Sequence, residues 1–398
     1  MARSARRNTL VASAALSLLV GGLGASAAHA GTGTDLYVDD TAATCSDSGP
    51  GSAAQPFCQL QPAADAATAG TTVHVARGVD YAPVTIRSVG TADAPVTFAG
   101  GANSADGPSV RAADGTTSAV SFAGARYVTM SGFTARAVGV PTLVVTGSEH
   151  IDVDSSNLMS SVTTDSTRPT VTVDGASSAL SFTRLGVPQV SGRAFDIAPG
   201  AQDVTLADDS ISTTDAGSGV FAAGTDGLVM AGDTIATHCR SAISLTGGTS
   251  GSVENTVVAE IALNLACAST GAGKIVVDAD SAPKVTADYN AVNPSPGGSD
   301  YSWSGTAYST AAALQAATGQ GAHDLDQTDV TLPTLATALT EHSPLIDSGD
   351  ATAPGELATD RSGRPRVDDP LVADTGNGGG HYDRGSVEFQ DPLRISGL

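Results

Sequence analysis

The chain has 398 residues, with 4% aromatic and 15% charged side chains and 46 glycines, a composition that argues against a helical bundle and fits tight turns and thin β-layers. Its 41 acidic residues outnumber 19 basic ones, for a net charge of −22. That balance argues against nucleic acid or an anionic membrane as partner, because both need a positive footprint.

Residues 1–30 are expected to form a secretory signal. Arg3, Arg6 and Arg7 make a basic start, and Leu10 to Leu23 is apolar but too short and glycine-broken to span a bilayer. Ala28-His29-Ala30 fits the small-x-small cleavage rule, which places the mature start at Gly31. Arg6-Arg7 ahead of Leu10 is compatible with twin-arginine or ordinary export. No other segment reads as a membrane span, so the expected location is extracellular. The mature part keeps 16 basic residues against all 41 acidic ones, a net −25. This suits solubility and cation binding, and makes a polyanionic ligand hard to hold without bridging metal ions.

Residues 31–72 read as an N-terminal strand (Leu36-Tyr37-Val38), a cysteine loop and a capping helix. Four cysteines in an exported chain point to disulfides; Cys45 and Cys58, close together in a Gly/Ser/Pro-rich loop, are expected to pair. Cys239 and Cys267 either form a second bridge or stay as buried thiols, because their coil registers do not match. The spacing predicts a helix over Leu60–Thr68, with Leu60, Ala64 and Ala67 on one face and Gly70 as its stop. A helix there would cover an exposed sheet end that otherwise invites aggregation.

Residues 73–293 read as stacked coils. An apolar-x-apolar pair recurs about every two dozen residues: Val128/Met130, Ile151/Val153, Leu180/Phe182, Val204/Leu206, Leu228/Met230, Val253 with Asn255, and Ile275/Val277. A second series runs in step as Val120/Phe122, Leu143/Val145, Val171/Val173, Phe195/Ile197 and Ile243/Leu245. Such a period signals a solenoid whose units bury their apolar faces by stacking on one another, and the alternation makes the units strands. Residues 294–398 read as an irregular C-terminal cap with a short helix near Thr310–Thr318.

The run YVDDTAATCSDSG…PFCQLQPAADAATAGTTVHVARGVDY resembles the opening of secreted bacterial right-handed parallel β-helix proteins of the pectate-lyase-like superfamily. SPLIDSGD (343–350), TDRSGRPR (359–366) and YDRGSVEF (382–389) resemble their closing motifs. The resemblance implies an all-β, right-handed parallel β-helix (solenoid), which the repeat period makes about eight to ten coils long. These motifs lie in the caps and specify architecture rather than activity.

Equivalent positions of successive coils stack at about 4.8 Å, so chemistry is sought in columns. Five residues beyond the first apolar position stand Ser156, Asp209 and Asp233, with Asp208 beside Asp209. Stacked carboxylates repel unless one is protonated or a cation lies between them, and they are hard ligands suited to calcium. The metal candidates are therefore Asp208, Asp209 and Asp233; the same column also reads as a solvated row of turn residues. In the resembling lyases calcium bridges a uronate and an Arg or Lys is the base. That assigns Asp209, Asp233 and Arg240 as catalytic candidates, Arg240 having the alternative of merely neutralising the column. A hydrolase would use Asp209 and Asp233 as acid and base. Asp208-Asp209 and His238 match only part of the polygalacturonase pattern, whose NTD and GHG motifs are absent. Aromatic platforms are few: Trp303, Tyr301 and Tyr308 equally suit packing in the cap. His381-Tyr382-Asp383-Arg384 lies inside a closing motif and reads as structural.

The expected function is binding or degradation of an extracellular polysaccharide by a monomer, with calcium-dependent lyase chemistry as the enzymatic form and hydrolysis behind it. The alternative is a non-catalytic extracellular or cell-surface structural or binding protein.

Overall fold

Successive strands wind around a common axis and build three sheets, each of ten strands among the described residues, parallel throughout except for Thr306–Tyr308, which pairs antiparallel with Tyr301–Trp303. The computed structural model describes residues 33–78, 80–101, 107–161, 168–214, 217–261, 273–293, 298–326, 339–379 and 381–390. The expected signal segment lies outside them. The fold is an all-β parallel β-helix with two short helices.

The first sheet runs from Asp35–Val38 to Val285–Asp288, the second from Asp80–Tyr81 to Leu325–Asp326, and the third from Val84–Ile86 to Thr306–Tyr308. The stack thus continues past both ends of the expected 73–293 span. Asp35–Val38 pairs with Thr72–Val75, and Tyr301–Trp303 pairs with Ile275–Val277. Tyr301 and Trp303 are buried in this last turn, as packing residues rather than an exposed platform.

Alternation places every second side chain inside. Val128, Ile151, Leu180, Val204 and Leu228 stack in register in the first sheet. Val120, Leu143, Val171, Phe195 and Ile275 belong to the equivalent inward series of the third. Two repeat assignments change. Gly251, not Val253, lies opposite Leu228, and Val253 lies opposite Met230. Ile275/Val277 continue the third sheet after Ile243/Leu245, while Val285 and Ala287 continue the first. All of these are apolar-x-apolar pairs, so the pattern alone does not distinguish the sheets.

Helix α1 (Leu60–Ala66) and the residues beside it close the N-terminal edge. Gln61 Nε2 donates to the Thr85 carbonyl at 3.0 Å and its Oε1 accepts the Thr85 N–H at 2.8 Å, satisfying an edge strand that has no further neighbour. The other end uses the same device. Gln320 Oε1 accepts the Ala287 N–H at 2.9 Å, just past helix α2 (Ala311–Thr318), which Thr310 caps and Gly319 ends in the left-handed conformation. Cys45 and Cys58 form the expected disulfide. Cys239 is also disulfide-bonded, and Cys267 lies outside the described residues.

Gly251 is at φ +142°, and a Cβ there would stand 1.7 Å from the Leu228 carbonyl oxygen. Gly124 is at φ +70° with nothing within 4 Å. Gly251→Ala is therefore expected to cost more than about 3 kcal/mol in urea denaturation, against about 1 kcal/mol for Gly124→Ala.

Candidate functional site

The acidic column occupies the turn from the first sheet to the second. Each turn begins with a residue in the left-handed conformation: Gly132, Ser155, Arg184, Asp208, Gly232, Asn255 and Tyr289. That residue reverses the chain's alternation, so the next side chain points along the axis instead of outward. Ser156 Oγ accepts the Phe133 N–H at 3.1 Å, and Asp209 Oδ1 accepts that of Leu185 at 2.7 Å. Asp233 Oδ1 accepts the Asp209 N–H at 2.9 Å, and Asn290 Oδ1 that of Thr256 at 3.0 Å. Asp209 and Asp233 are thus rungs of a ladder that satisfies buried backbone donors, alongside uncharged side chains doing the same work.

Asp208, Asp209 and Asp233 are all fully buried. Burial, opposed by its accepted N–H, pushes the Asp233 carboxyl up to about 8. Burial and then the neighbouring Asp233 raise Asp209 well above the usual carboxylate range. Asp208 is raised by burial against the attraction of Arg366.

The closing segment is what covers them. Arg366, the last residue of TDRSGRPR, donates to Asp208 Oδ1 at 2.6 Å, Glu356 Oε1 at 2.9 Å and Glu388 Oε2 at 3.1 Å. Arg361 Nε reaches the Leu185 carbonyl at 3.2 Å, and Arg384 donates to the Asn290 carbonyl at 2.9 Å. Leu345, Ile346 and Phe389 form an apolar cluster with Val257 and Ala291 of the second sheet. The three closing motifs thus converge in a strap along the flank of the solenoid. Asp383 joins them, its two carboxylate oxygens accepting the N–H groups of Asp347 and Phe389 at 2.8 and 2.6 Å. The His381–Arg384 run is structural in this sense.

In the set Asp208, Asp209 and Asp233 read as calcium ligands, Oδ1 of each accepts a backbone N–H or an arginine, while Oδ2 of each is buried without a hydrogen-bond partner, and the closing segment packs over all three. The expected base is also apart: Arg240 is exposed beyond Thr234–Thr237, whereas Asp233 precedes that strand. Asp233 to Thr237 alone spans about 13 Å of extended chain. His238, at that same far end, is buried and bonded to Glu260 at 2.8 Å. Arg366, the guanidinium that does meet the acidic column, sits 158 residues from Asp208 in sequence.

A surface able to hold an extended ligand lies on the outward face of the third sheet. Val144, Thr172, Asp196, Phe221 and Ser244 occupy one outward column in register. The first four border a shallow groove of about 370 Å³ whose rim includes Asp174 and Pro199. The Arg193 guanidinium lies 3.6 Å from the Phe221 ring centroid and bonds Asp196 at 2.8 Å. These residues are not among the candidates that stand out in the sequence. The available signal was Phe221, an aromatic at an outward position.

No protein-family model matches the sequence, and no curated protein is similar to it. Among solved structures, a rhamnogalacturonan lyase is similar with a TM-score of 0.43 and 11% identity, over 86% of this chain and 97% of that one. An alginate lyase from Paenibacillus sp. str. FPU-7 gives 0.39 and 15%, over 61% and 94%. The GH136 lacto-N-biosidase from Eubacterium ramulus gives 0.41 and 10%, over 68% of this chain and 61% of that chain's length. These are likenesses of fold alone.

Two outcomes follow from the buried column. The folded-state carboxyls of Asp209 and Asp233 lie above the value of about 3.9 for an unfolded Asp. The Asp233 contribution is therefore complete below about pH 4 and is lost as pH rises through about 8, and that of Asp209 is lost in the same direction. Asp233→Asn keeps an acceptor without the charge, and is expected to flatten this pH dependence and to stabilise by on the order of 1–3 kcal/mol at pH 8. Melting temperatures across pH 4–9 check it. Arg366→Met leaves three buried carboxylates without their shared cation and is expected to destabilise by about 3–5 kcal/mol, read by urea denaturation.

Proposed function

We propose that this is an extracellular polysaccharide-binding β-helix whose ligand lies along the outward face of the third sheet. The groove at Asp196 and Phe221 carries the reading. It offers one aromatic side chain with Arg193 over its ring, a single paired guanidinium and carboxylate, and small polar neighbours, in a column whose positions recur at the rung spacing of about 4.8 Å. Asp174 and Asp196 at the groove, and the mature net charge of −25, favour an uncharged glycan over a uronate. The disulfide at Cys45–Cys58 is consistent with an oxidising, extracellular location. No helix among the described residues is long and apolar enough to cross a membrane.

Binding is preferred to catalysis because Asp209 and Asp233, the carboxylates assigned as catalytic candidates, are fully buried. Affinity electrophoresis of the mature protein through neutral and acidic polysaccharides tests the reading. Retardation by a neutral glycan is expected, weakened about tenfold by Phe221→Ala, a loss of about 1.4 kcal/mol, and unchanged by Asp233→Asn. No retardation on any glycan, or retardation indifferent to Phe221→Ala, contradicts it. An ultraviolet assay for unsaturated product, with calcium and with chelator, checks the lyase alternative. Product lost in both Asp233→Ala and Arg240→Ala would restore the mid-helix catalytic assignment.

A further inference from the structure

The strap contains a second acidic cluster, away from the ladder and the groove. Asp347 belongs to SPLIDSGD and is fully buried, with its backbone in the left-handed conformation at φ +49°. The loop 368–376 closes on it from both ends. At the loop's start, the Asp369 N–H donates to Asp347 Oδ2 at 3.0 Å. At its finish, the N–H groups of Thr375 and Gly376 donate to the Asp347 carbonyl at 2.9 and 3.2 Å. Asp368 and Asp374 stand at these two ends, and one carboxylate oxygen from each of the three residues lies within 4.8 Å of the others.

The cluster has a second feature that acidity alone does not explain. Asp347 Oδ1 is buried and has no hydrogen-bond partner. Every other polar atom of Asp347 is engaged: its N–H donates to Asp383 Oδ1 at 2.8 Å, and its Oδ2 and carbonyl take the loop's donors. Among the described residues neither Asp347 nor Asp374 makes an ion pair. A buried carboxylate oxygen without a donor, on a residue whose carboxylate clusters with two others, carries a desolvation cost that a cation offsets. Burial raises the Asp347 carboxyl to about 6, opposed by the Asp369 N–H, with Asp374 and Asp368 adding to the rise.

We propose that Asp347, Asp368 and Asp374 bind a calcium ion that clasps the loop 368–376 onto the closing strap. Oxygens up to 4.8 Å apart are spaced at about twice a calcium–oxygen bond of 2.3–2.6 Å. Magnesium, with bonds of about 2.0–2.1 Å and a strict octahedron, matches less well. The exposed carboxylates of Asp368 and Asp374 leave room for water to complete the shell. The ion is structural: it ties the strap that covers Asp208, Asp209 and Asp233, and it does not belong to the glycan groove.

The test uses the mature chain stripped with chelator, titrated calorimetrically with calcium chloride alone at pH 7.5, and melted with and without about 10 mM calcium. One ion per chain is expected, with a Kd of about 10⁻⁴–10⁻³ M and a rise in melting temperature of about 2–4 °C. Asp374→Asn, at an exposed loop position, and Asp347→Asn are each expected to weaken binding at least tenfold and to abolish the shift. Asp233→Asn is expected to retain both. No binding up to about 10 mM overturns the proposal. So does binding that survives Asp347→Asn and Asp374→Asn, or an equal response to magnesium that those variants leave unchanged.

Discussion

A parallel β-helix superimposes the same turn of every coil at about 4.8 Å, and each turn buries a backbone N–H that only the next coil can satisfy. In this chain the side chain after the left-handed residue does that work. Ser156, Asp209, Asp233 and Asn290 each accept from the coil before. The constraint fixes geometry and hydrogen-bond capacity but not charge, so aspartate serves where its proton is retained. The raised carboxyls of Asp209 and Asp233 are the electrostatic consequence.

The strap follows from the same constraint. A left-handed residue immediately before each rung projects its side chain outward, and at Asp208 that side chain is a carboxylate. Arg366 meets it together with Glu356 and Glu388, so one cation is shared by three buried acids. Such a cluster is weak evidence of stability in itself, since desolvation offsets much of the attraction, but removing its single cation strands the rest. Apolar contacts of Leu345, Ile346 and Phe389 with the second sheet supply the non-directional part of the docking. The closing motifs therefore describe an interlock between the chain's end and its middle rather than a plug on the last coil.

The first and third sheets were legible because their inward pairs are large and strictly alternating, as in Val204/Leu206 and Phe195/Ile197. The second was not, because its inward positions hold small or polar residues such as Ala135, Ala137, Thr213 and Thr237, all buried. Register failed where Gly251 takes an apolar position, and sheet identity failed at Ile275/Val277, where the third-sheet pair has the same pattern as a first-sheet pair. For the acidic column, position was legible and sidedness was not. Counting by twos past Val204 does not allow for the left-handed Asp208, which redirects Asp209. Gly232 and Asn255 at the equivalent place were the available warning, both being residues that tolerate that conformation. Arg366 was invisible as a partner because nothing local connects it to Asp208.

The central claim is that strap and ladder form one buried unit rather than a lid over a working site. Native-state hydrogen exchange, followed peptide by peptide in the mature chain, tests it most directly. The account predicts that the amides of Leu185 and Asp209 and those of Val367, Glu388 and Phe389 are protected together and lose protection together in Arg366→Met. Rapid exchange across 359–389 while the 180–210 turns stay protected would contradict it, and would mean that the acidic column is open to solvent and substrate.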